Sequence, residues 1–436
     1  MKTRVFLKFA FIVAVIFLAQ SCGQNSLSFL SGKQSAYDEY STKLDKAGLY
    51  ETSVGQAWKE SGNQALVGAL ESDVPFSFST LFRAKEVKAI AWKFDLLRGQ
   101  SIKLSMDFNT KDSSLVFADI FEEDGLKNVN WFTSADGTHS FESKKSQTYI
   151  LRIQPELFAE GNLILTVEKA PTYAVFPIYG KDASAVQSFW GAARGGGTRK
   201  HEGIDIFASR GTPVLAPVDG IVSSVRDRGL GGKQVWLRDS ERGFSLYFAH
   251  LDSQLVSFGQ SLKAGDTLGL VGNTGNARFT PPHLHFGIYS GGAFDPLPMV
   301  DNRNQKAEVS NLSVDDFVLN IKGAKANFRN KPTTTNSEVL TTLENENSVK
   351  LIGAQGSWYR IETPDQQEGY VHSSLVEPSR KEALEANDLW VWSNPFESPR
   401  DSLLLNGELK KLGEYEGFAM LTDDSQNVYY VRVEKL

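Results

Sequence analysis

The chain has 436 residues and a formal net charge of −6, with 41% hydrophobic and 22% charged residues. This length exceeds one ordinary domain and suits three or four, and the composition is typical of globular material. Because no basic block accompanies the net negative charge, we expect no nucleic-acid partner.

The first 21 residues have the pattern of a secretion signal. Lys2, Arg4 and Lys8 precede an apolar run over residues 9–19. A run of this length after a positive segment is typical of a signal peptide and is short for a membrane span. We therefore predict a signal peptide over residues 1–21.

Cys22 follows the signal directly and is the only cysteine, so no internal disulfide is possible. Its position resembles a bacterial lipobox, whose cysteine becomes the lipidated first residue of the mature chain. Leu18 lies four residues before it, Ala19 holds the usual leucine position, and Gln20 is unusual. Ordinary signal cleavage beside an incidental cysteine is the alternative. We predict lipidation of Cys22, a tether over residues 22–35, and a membrane-anchored lipoprotein of the cell envelope, either periplasmic or surface-exposed.

Two regions precede the motif-bearing part of the chain. Residues 36–73 place Tyr37, Tyr40 and Leu44 at helical spacing, which predicts one or two helices. Residues 74–170 contain several short runs of alternating apolar and polar residues rich in aromatics. Such runs predict an antiparallel β-sandwich.

Four of the six histidines fall in three short motifs of a Gly-rich stretch. The motifs are His201-Glu-Gly-Ile-Asp205, Tyr247-Phe-Ala-His250-Leu and Pro282-His283-Leu-His285-Phe. Zinc binds imidazole and carboxylate ligands, and a catalytic zinc has three protein ligands and leaves its fourth position to water. On a strand, residues two apart share a face, so His283 and His285 can reach one cavity. The even separation of His201 and Asp205 has the same effect on extended backbone. Scattered surface histidines are the alternative, and the clustering argues against it.

Together with the Gly-rich run over residues 269–275, these motifs resemble the M23 (lysostaphin/LytM-type) zinc endopeptidases, which cut peptidoglycan peptides. The similarity covers roughly residues 176–300. It implies that His201, Asp205 and His285 hold Zn²⁺, and that His250 and His283 are the two catalytic histidines that are not ligands. All five positions hold the expected residue. The family also contains inactive members that have lost ligands and only activate another enzyme.

The same stretch has features that bear on alternatives. Residues 188–194 resemble the Ser-x-Phe-Gly-x-Arg segment of the family with an extra residue or two, which concerns the loop along the cleft and hence substrate choice. Glu202 is not expected to act as a general base, because the second histidine of an HExxH motif is absent. Residues 211–222 and 265–272 also resemble biotinyl or lipoyl carriers, but their hairpins offer no acceptor lysine. We predict an antiparallel β peptidase domain over residues 171–308.

The C-terminal part resembles bacterial SH3 domains. Residues 309–378 contain an Asn-x-Arg-x-x-Pro-like turn ending at Pro332, then Gly356-Ser-Trp358 and Gly369-Tyr-Val371. Residues 386–436 resemble a second, diverged copy. Four aromatic residues either line a ligand groove or fill two small cores: Trp358, Tyr370, Trp390 and Trp392.

The sequence thus predicts a mainly β, multidomain protein: an N-terminal β-sandwich, a central antiparallel β peptidase domain of LytM/M23 type, and C-terminal SH3-like small barrels. The expected function is zinc-dependent hydrolysis of peptidoglycan cross-links or stem peptides, with peptidoglycan as the partner and a lipid on Cys22 as the membrane anchor. A non-catalytic scaffold or activator of a cell-wall amidase is the main alternative, and a general protease of envelope proteins is another.

Overall fold

The computed structural model describes residues 34–303, 306–393, 402–424 and 427–436. The predicted signal peptide and nearly all of the tether, with Cys22, lie outside these residues. Within them, no helix combines the length and apolar character needed to cross a membrane.

The chain begins with two helices, α1 (Ala36–Lys46) and α2 (Ser53–Val67), within the segment predicted to be helical. The hydroxyl of Ser35 caps α1 by accepting a hydrogen bond from the backbone N–H of Asp38, which satisfies one of the free donors of the first turn. Tyr37 of α1 and Trp58 of α2 stack with ring centroids 4.6 Å apart and pack on Phe117 of the following domain. The helices therefore cover one face of that domain.

The next domain is a β-sandwich. Its strands are β1 (Leu70–Glu71), β2 (Phe76–Phe82), β3 (Ile90–Leu96), β4 (Ser101–Thr110), β5 (Val116–Glu122), β6 (Lys127–Thr133), β7 (Thr138–Glu142), β8 (Gln147–Pro155) and β9 (Gly161–Ala170). One sheet has the order β1-β3-β8-β5-β6, and the run β2-β9-β4-β7 belongs to the other. The aromatic and β-branched residues that alternate in the sequence form the core between the sheets, with Trp92 and Phe78 fully buried.

The central domain contains one ten-stranded sheet of order β10-β13-β20-β17-β16-β15-β18, with β14, β19 and β21 paired at its margins, and a two-stranded ribbon β11-β12. The bounds of its strands are β10 (Val186–Ser188), β11 (Ala193–Arg194), β12 (Arg199–Lys200), β13 (Ile204–Phe207), β14 (Pro213–Leu215), β15 (Gly220–Asp227), β16 (Lys233–Asp239), β17 (Ser245–Gln254), β18 (Ser261–Leu262), β19 (Thr267–Val271), β20 (His283–Tyr289) and β21 (Ala293–Phe294). A short helix, α3 (Leu297–Val300), follows.

The central domain is fastened to the sandwich by polar and aromatic contacts. The Arg242 guanidinium donates to the Glu142 carboxylate of β7 at 2.9 Å. The Arg98 guanidinium lies 4.2 Å from the centre of the Phe294 ring, within cation–π distance. These contacts lie away from the motif histidines.

The third domain consists of β22 (Val318–Ile321), β23 (Lys325–Arg329), β24 (Val339–Glu344), β25 (Ser348–Gln355), β26 (Trp358–Glu362), β27 (Glu368–His372) and β28 (Val376–Pro378). It is not a separate module, because β25 pairs with β2 of the sandwich and joins both domains in one eleven-stranded sheet. Ile352 of β25 is buried in the sandwich core.

The chain ends in a closed four-stranded barrel, β29 (Glu382–Trp392), β30 (Ser402–Tyr415), β31 (Phe418–Thr422) and β32 (Val428–Arg432). It begins four residues earlier than the predicted second copy. The four C-terminal aromatics have different surroundings: Tyr370 is fully buried, whereas Trp390 is 58% exposed. The structure confirms the prediction of a mainly β, multidomain chain.

The shared sheet predicts that the third domain stabilises the sandwich. We expect Ile352→Ala to lower the free energy of unfolding by about 2–5 kcal/mol, because it leaves a cavity in the sandwich core. Hydrogen exchange followed by mass spectrometry should show faster exchange in β2 as well as in β25. Leu340→Ala is the matched control, because Leu340 is 44% exposed on the same domain. Unchanged exchange in β2 of the Ile352 variant would contradict the shared sheet.

Candidate metal centre

Three side chains converge on one point of the central sheet. Asp205 on β13 lies directly opposite His285 on β20 in the antiparallel pairing. His201 lies in the loop before β13. Its Nε2, the Asp205 Oδ1 and the His285 Nδ1 are each 3.0 Å from the other two. The sequence motifs therefore bring one carboxylate and two imidazole nitrogens together.

The loop that carries His201 is held by backbone contacts and not by strand pairing. The His201 N–H donates to the Ala192 carbonyl at 2.8 Å. The His201 Nδ1 lies 2.9 Å from the Phe189 carbonyl oxygen. Because a carbonyl only accepts, Nδ1 carries the proton, and Nε2 of the neutral ring presents a lone pair to the centre.

This arrangement fits a metal ion. Neutral imidazole nitrogens and a carboxylate are the forms that bind metals, and three acceptor atoms in mutual contact need a cation between them. The centre of a triangle with 3.0 Å sides is close enough that one ion can lie about 2.0–2.1 Å from all three atoms, the usual distance for zinc with nitrogen and oxygen ligands. Among the described residues, this is the one group of metal-binding side chains that comes together in this way.

Electrostatics favour the metal-binding forms of Asp205 and His285. Burial opposes ionisation of Asp205, but without a metal the hydrogen bonds from His201 and His285 outweigh it and hold the pKa of this carboxyl well below its usual range. A bound cation would act on the carboxylate in the same direction in place of those protons. Burial lowers the pKa of His285, which favours the neutral ring. The second oxygen of Asp205 accepts a hydrogen bond from the Arg194 guanidinium at 2.7 Å, so only Oδ1 faces the centre. Arg194 thus acts as a positioning residue.

Gly203 explains the glycine of the first motif. A Cβ at this position would lie 2.5 Å from the Phe286 carbonyl oxygen and 2.8 Å from Cε1 of His285. A side chain would therefore push the strand or the ligand ring away. The glycine is needed for this close approach.

His250 and His283 lie beside the centre but outside it. The Nδ1 of His250 is 2.9 Å from the Thr274 carbonyl oxygen, and the Nδ1 of His283 is 2.9 Å from that of Pro281. Each ring is thereby fixed with its proton on Nδ1, and neither Nε2 has a hydrogen-bond partner among the described residues. The two ring centroids are 5.1 Å apart, and that of His250 is 6.0 Å from that of His285.

Two further properties distinguish His250. Burial lowers its pKa to about 4, with the neighbouring His283 and His285 acting in the same direction, so the ring is neutral near pH 7. Its backbone has φ of 64°, in the left-handed region that few non-glycine residues adopt. Such strain is common at functional sites, and here it accompanies the turn of His250 toward the cleft.

The five residues line a cleft of about 720 Å³. Every lining residue lies between Ser188 and Tyr289, so the third domain and the C-terminal barrel do not wall it. Several lining residues have no role that the sequence predicts: Arg194, Arg199, Lys200, Tyr247 and Tyr289. Arg194 belongs to a segment noted for its resemblance, but its contact with Asp205 depends on how the ribbon folds back.

Comparison with known proteins agrees with this geometry. Residues 199–296 match peptidase family M23, and residues 324–377 match the bacterial SH3 domain. The chain therefore carries an M23 peptidase domain and a bacterial SH3 domain, and several of its relatives are named as endopeptidases.

Three of these relatives illustrate the range of sequence identity and coverage. An L-Ala–D-Glu endopeptidase of Bacillus subtilis is 38% identical over 136 residues, which are 28% of this chain and 41% of that protein. The glycyl-glycine endopeptidase ALE-1 of Staphylococcus capitis is 29% identical over 150 residues, 33% of this chain and 41% of that protein. The catalytic domain of lysostaphin from Staphylococcus simulans is 33% identical, with 25% of this chain and 86% of that domain covered and a TM-score of 0.23. The chain thus spans less than half of the two curated relatives.

The close contact between Gly203 and the His285 ring allows a test of the metal centre in which none of the three metal ligands is substituted. We expect Gly203→Ala to weaken the binding of added Zn²⁺ by roughly 10–100-fold, the usual cost of disturbing the groups that orient a ligand. Competition with a chelator of known affinity measures this. Gly68→Ala is the control. The added Cβ would lie 3.4 Å from the backbone oxygen of Gln64, an ordinary van der Waals distance, and Gly68 does not line the cleft. Equal zinc affinity in both variants would show that the His285 ring does not depend on Gly203.

Proposed function

We propose that this protein is a zinc metalloendopeptidase that hydrolyses peptide bonds of peptidoglycan. The observation that carries the proposal is the convergence of His201, Asp205 and His285 beside two imidazoles whose Nε2 atoms have no hydrogen-bond partner in the described part of the chain. The M23 match over residues 199–296 and the names of the curated relatives support the reaction type and the substrate.

His201, Asp205 and His285 would hold the metal. When bound, zinc polarises the scissile carbonyl and lowers the pKa of a bound water to about 7. The protein's own part is acid–base chemistry. The Nε2 of His250 or His283 takes the proton of the attacking water, and the other imidazole, when protonated at Nε2, donates a hydrogen bond to the oxygen on which negative charge develops. The proton then passes to the leaving amine, so that the imidazole is neutral again after each turnover.

Each imidazole is fixed for this task by its own carbonyl partner. A hydrogen bond from Nδ1 to a backbone carbonyl sets both the tautomer and the ring direction. Because Thr274 and Pro281 lie in the connection between β19 and β20, that connection orients both rings. Neither ring needs to reorganise when substrate enters the cleft.

The remaining domains support action at the cell wall. A bacterial SH3 domain over residues 324–377 is suited to holding the enzyme on its polymeric substrate. Trp390 and Leu404 form an exposed cross-strand pair on the C-terminal barrel. The predicted secretion signal over residues 1–21 and a lipid on Cys22 would bring the enzyme to the envelope and anchor it there.

Substitutions at the centre and beside it should separate metal binding from proton transfer. We expect the purified protein to carry about one Zn²⁺ and Asp205→Ala to lose it. His250→Ala should keep the metal and lose hydrolysis by about 10²–10⁴-fold, the contribution typical of a positioned acid–base group. Metal analysis and mass spectrometry of fragments released from purified peptidoglycan provide the two measurements.

His372→Ala is the matched histidine control, since His372 lies on β27 of the SH3 domain and should leave both readouts unchanged. Loss of metal in the His250 variant would contradict its role outside the metal centre. Full zinc occupancy in wild type with no released peptides would favour a scaffold or amidase activator, and rapid digestion of envelope proteins with intact peptidoglycan would favour a general protease.

The anchor gives a separate prediction. We expect Cys22→Ser to move the protein from the membrane to the soluble fraction, because Cys22 is the sole cysteine available for lipidation. Labelling cells with a fatty-acid analogue should mark the wild type and not the variant. A wild-type protein that is soluble and unlabelled would mean that the segment before Cys22 serves secretion alone.

A further inference from the structure

The cleft is positively charged in a protein that is negative overall. Its lining contains three permanent cations and two carboxylates, whereas the whole chain has a net charge of −6. One cation, Arg194, is already paired with Asp205. The remaining two, Arg199 and Lys200, are exposed and have no carboxylate partner among the described residues.

The ribbon β11-β12 places Arg199 on the side of the proposed metal centre. Arg199 lies directly opposite Arg194 in the antiparallel pairing. Side chains of residues opposite each other lie on the same face of a ribbon, and the Arg194 face contacts Asp205. Lys200 leaves the opposite face of the ribbon, because successive residues of a strand alternate, but it directly precedes His201 and also lines the cleft. Both cations therefore border the cleft that contains the proposed metal ligands.

Glu202 is the other carboxylate of the lining besides Asp205. Burial, and to a smaller extent the charge of Glu202, raises the pKa of Tyr289 on β20 to about 12. Among the described residues Glu202 forms no ion pair with Arg199 or Lys200, so both cations remain available to a substrate anion.

We propose that Arg199 and Lys200 form a carboxylate-binding subsite, so that the enzyme selects acidic stem peptides over neutral bridges such as polyglycine. This inference rests on the proposed function and adds the substrate class to it. A guanidinium binds a carboxylate through two parallel hydrogen bonds, and an ammonium adds a second positive charge. A polyglycine bridge has no side-chain carboxylate to offer.

Three substrates test the proposal on the full mature protein. They are a cross-linked stem-peptide dimer with free side-chain carboxylates, the same dimer with those carboxylates amidated, and pentaglycine. We expect the kcat/KM of the wild type to favour the free dimer over its amidated form by roughly tenfold, as two exposed charge pairs allow. In the double variant R199Q/K200Q this ratio should fall to near one. Raising the ionic strength to about 1 M, where the Debye length is about 3 Å, should also reduce the wild-type ratio.

The double variant K181Q/R226Q is the matched control, since it removes one lysine and one arginine that are exposed in the same domain but do not line the cleft. It should keep the wild-type ratio. Equal wild-type rates on both dimers, an unchanged ratio in R199Q/K200Q, or faster cleavage of pentaglycine would overturn the subsite and leave the proposed endopeptidase in place. Failure of the zinc-loaded wild type to cut any of the three would instead overturn the proposed function.

Discussion

The site depends on the register between β13 and β20. This pairing sets Asp205 opposite His285 and, two residues along, Phe207 opposite His283. A slip by one residue would turn every side chain of a strand to the other face and would separate the ligands. Burial in the hydrophobic core fixes this register. The residues that alternate with the functional ones are fully buried: Ile204, Ile206, Leu284 and Phe286. The same hydrophobic packing that stabilises the sheet therefore positions the metal ligands.

Backbone contacts orient the histidine rings around this pair. His201, His250 and His283 each point Nδ1 at a backbone carbonyl, which leaves Nε2 for the proposed chemistry. Two of these carbonyls belong to the segment leading into β20. The ribbon β11-β12 contributes Arg194, which contacts Asp205, together with Arg199 and Lys200 of the cleft lining. Strands β17 and β20 thus carry the proposed acid–base groups, and the ribbon carries the cations proposed to face the substrate.

The sequence was informative where function depends on short spacings, and it was uninformative where distant segments meet. The motifs identified all five residues that the structure brings together, and alternation along β20 explains His283 and His285. It does not explain His201, which precedes β13 and reaches Asp205 through a loop held by Phe189 and Ala192. Neither sequence pattern predicts that β2 pairs with β25. The hydrogen bond between Thr80 and Ile352 joins residues 272 positions apart, and patterns within single strands do not report contacts over such a separation. The role of Arg194 could not be predicted for the same reason, because its contact with Asp205 depends on how the ribbon β11-β12 folds back.

The proposed site is an open zinc centre with two imidazole ligands and one carboxylate, flanked by histidines that do not bind the metal. X-ray absorption at the zinc edge of the loaded protein counts these ligands. We expect two imidazoles in a nitrogen and oxygen shell at about 2.0–2.1 Å, completed by water. Three or four imidazoles in that shell would contradict it, because His250 or His283 would then be a ligand and could not serve as the base.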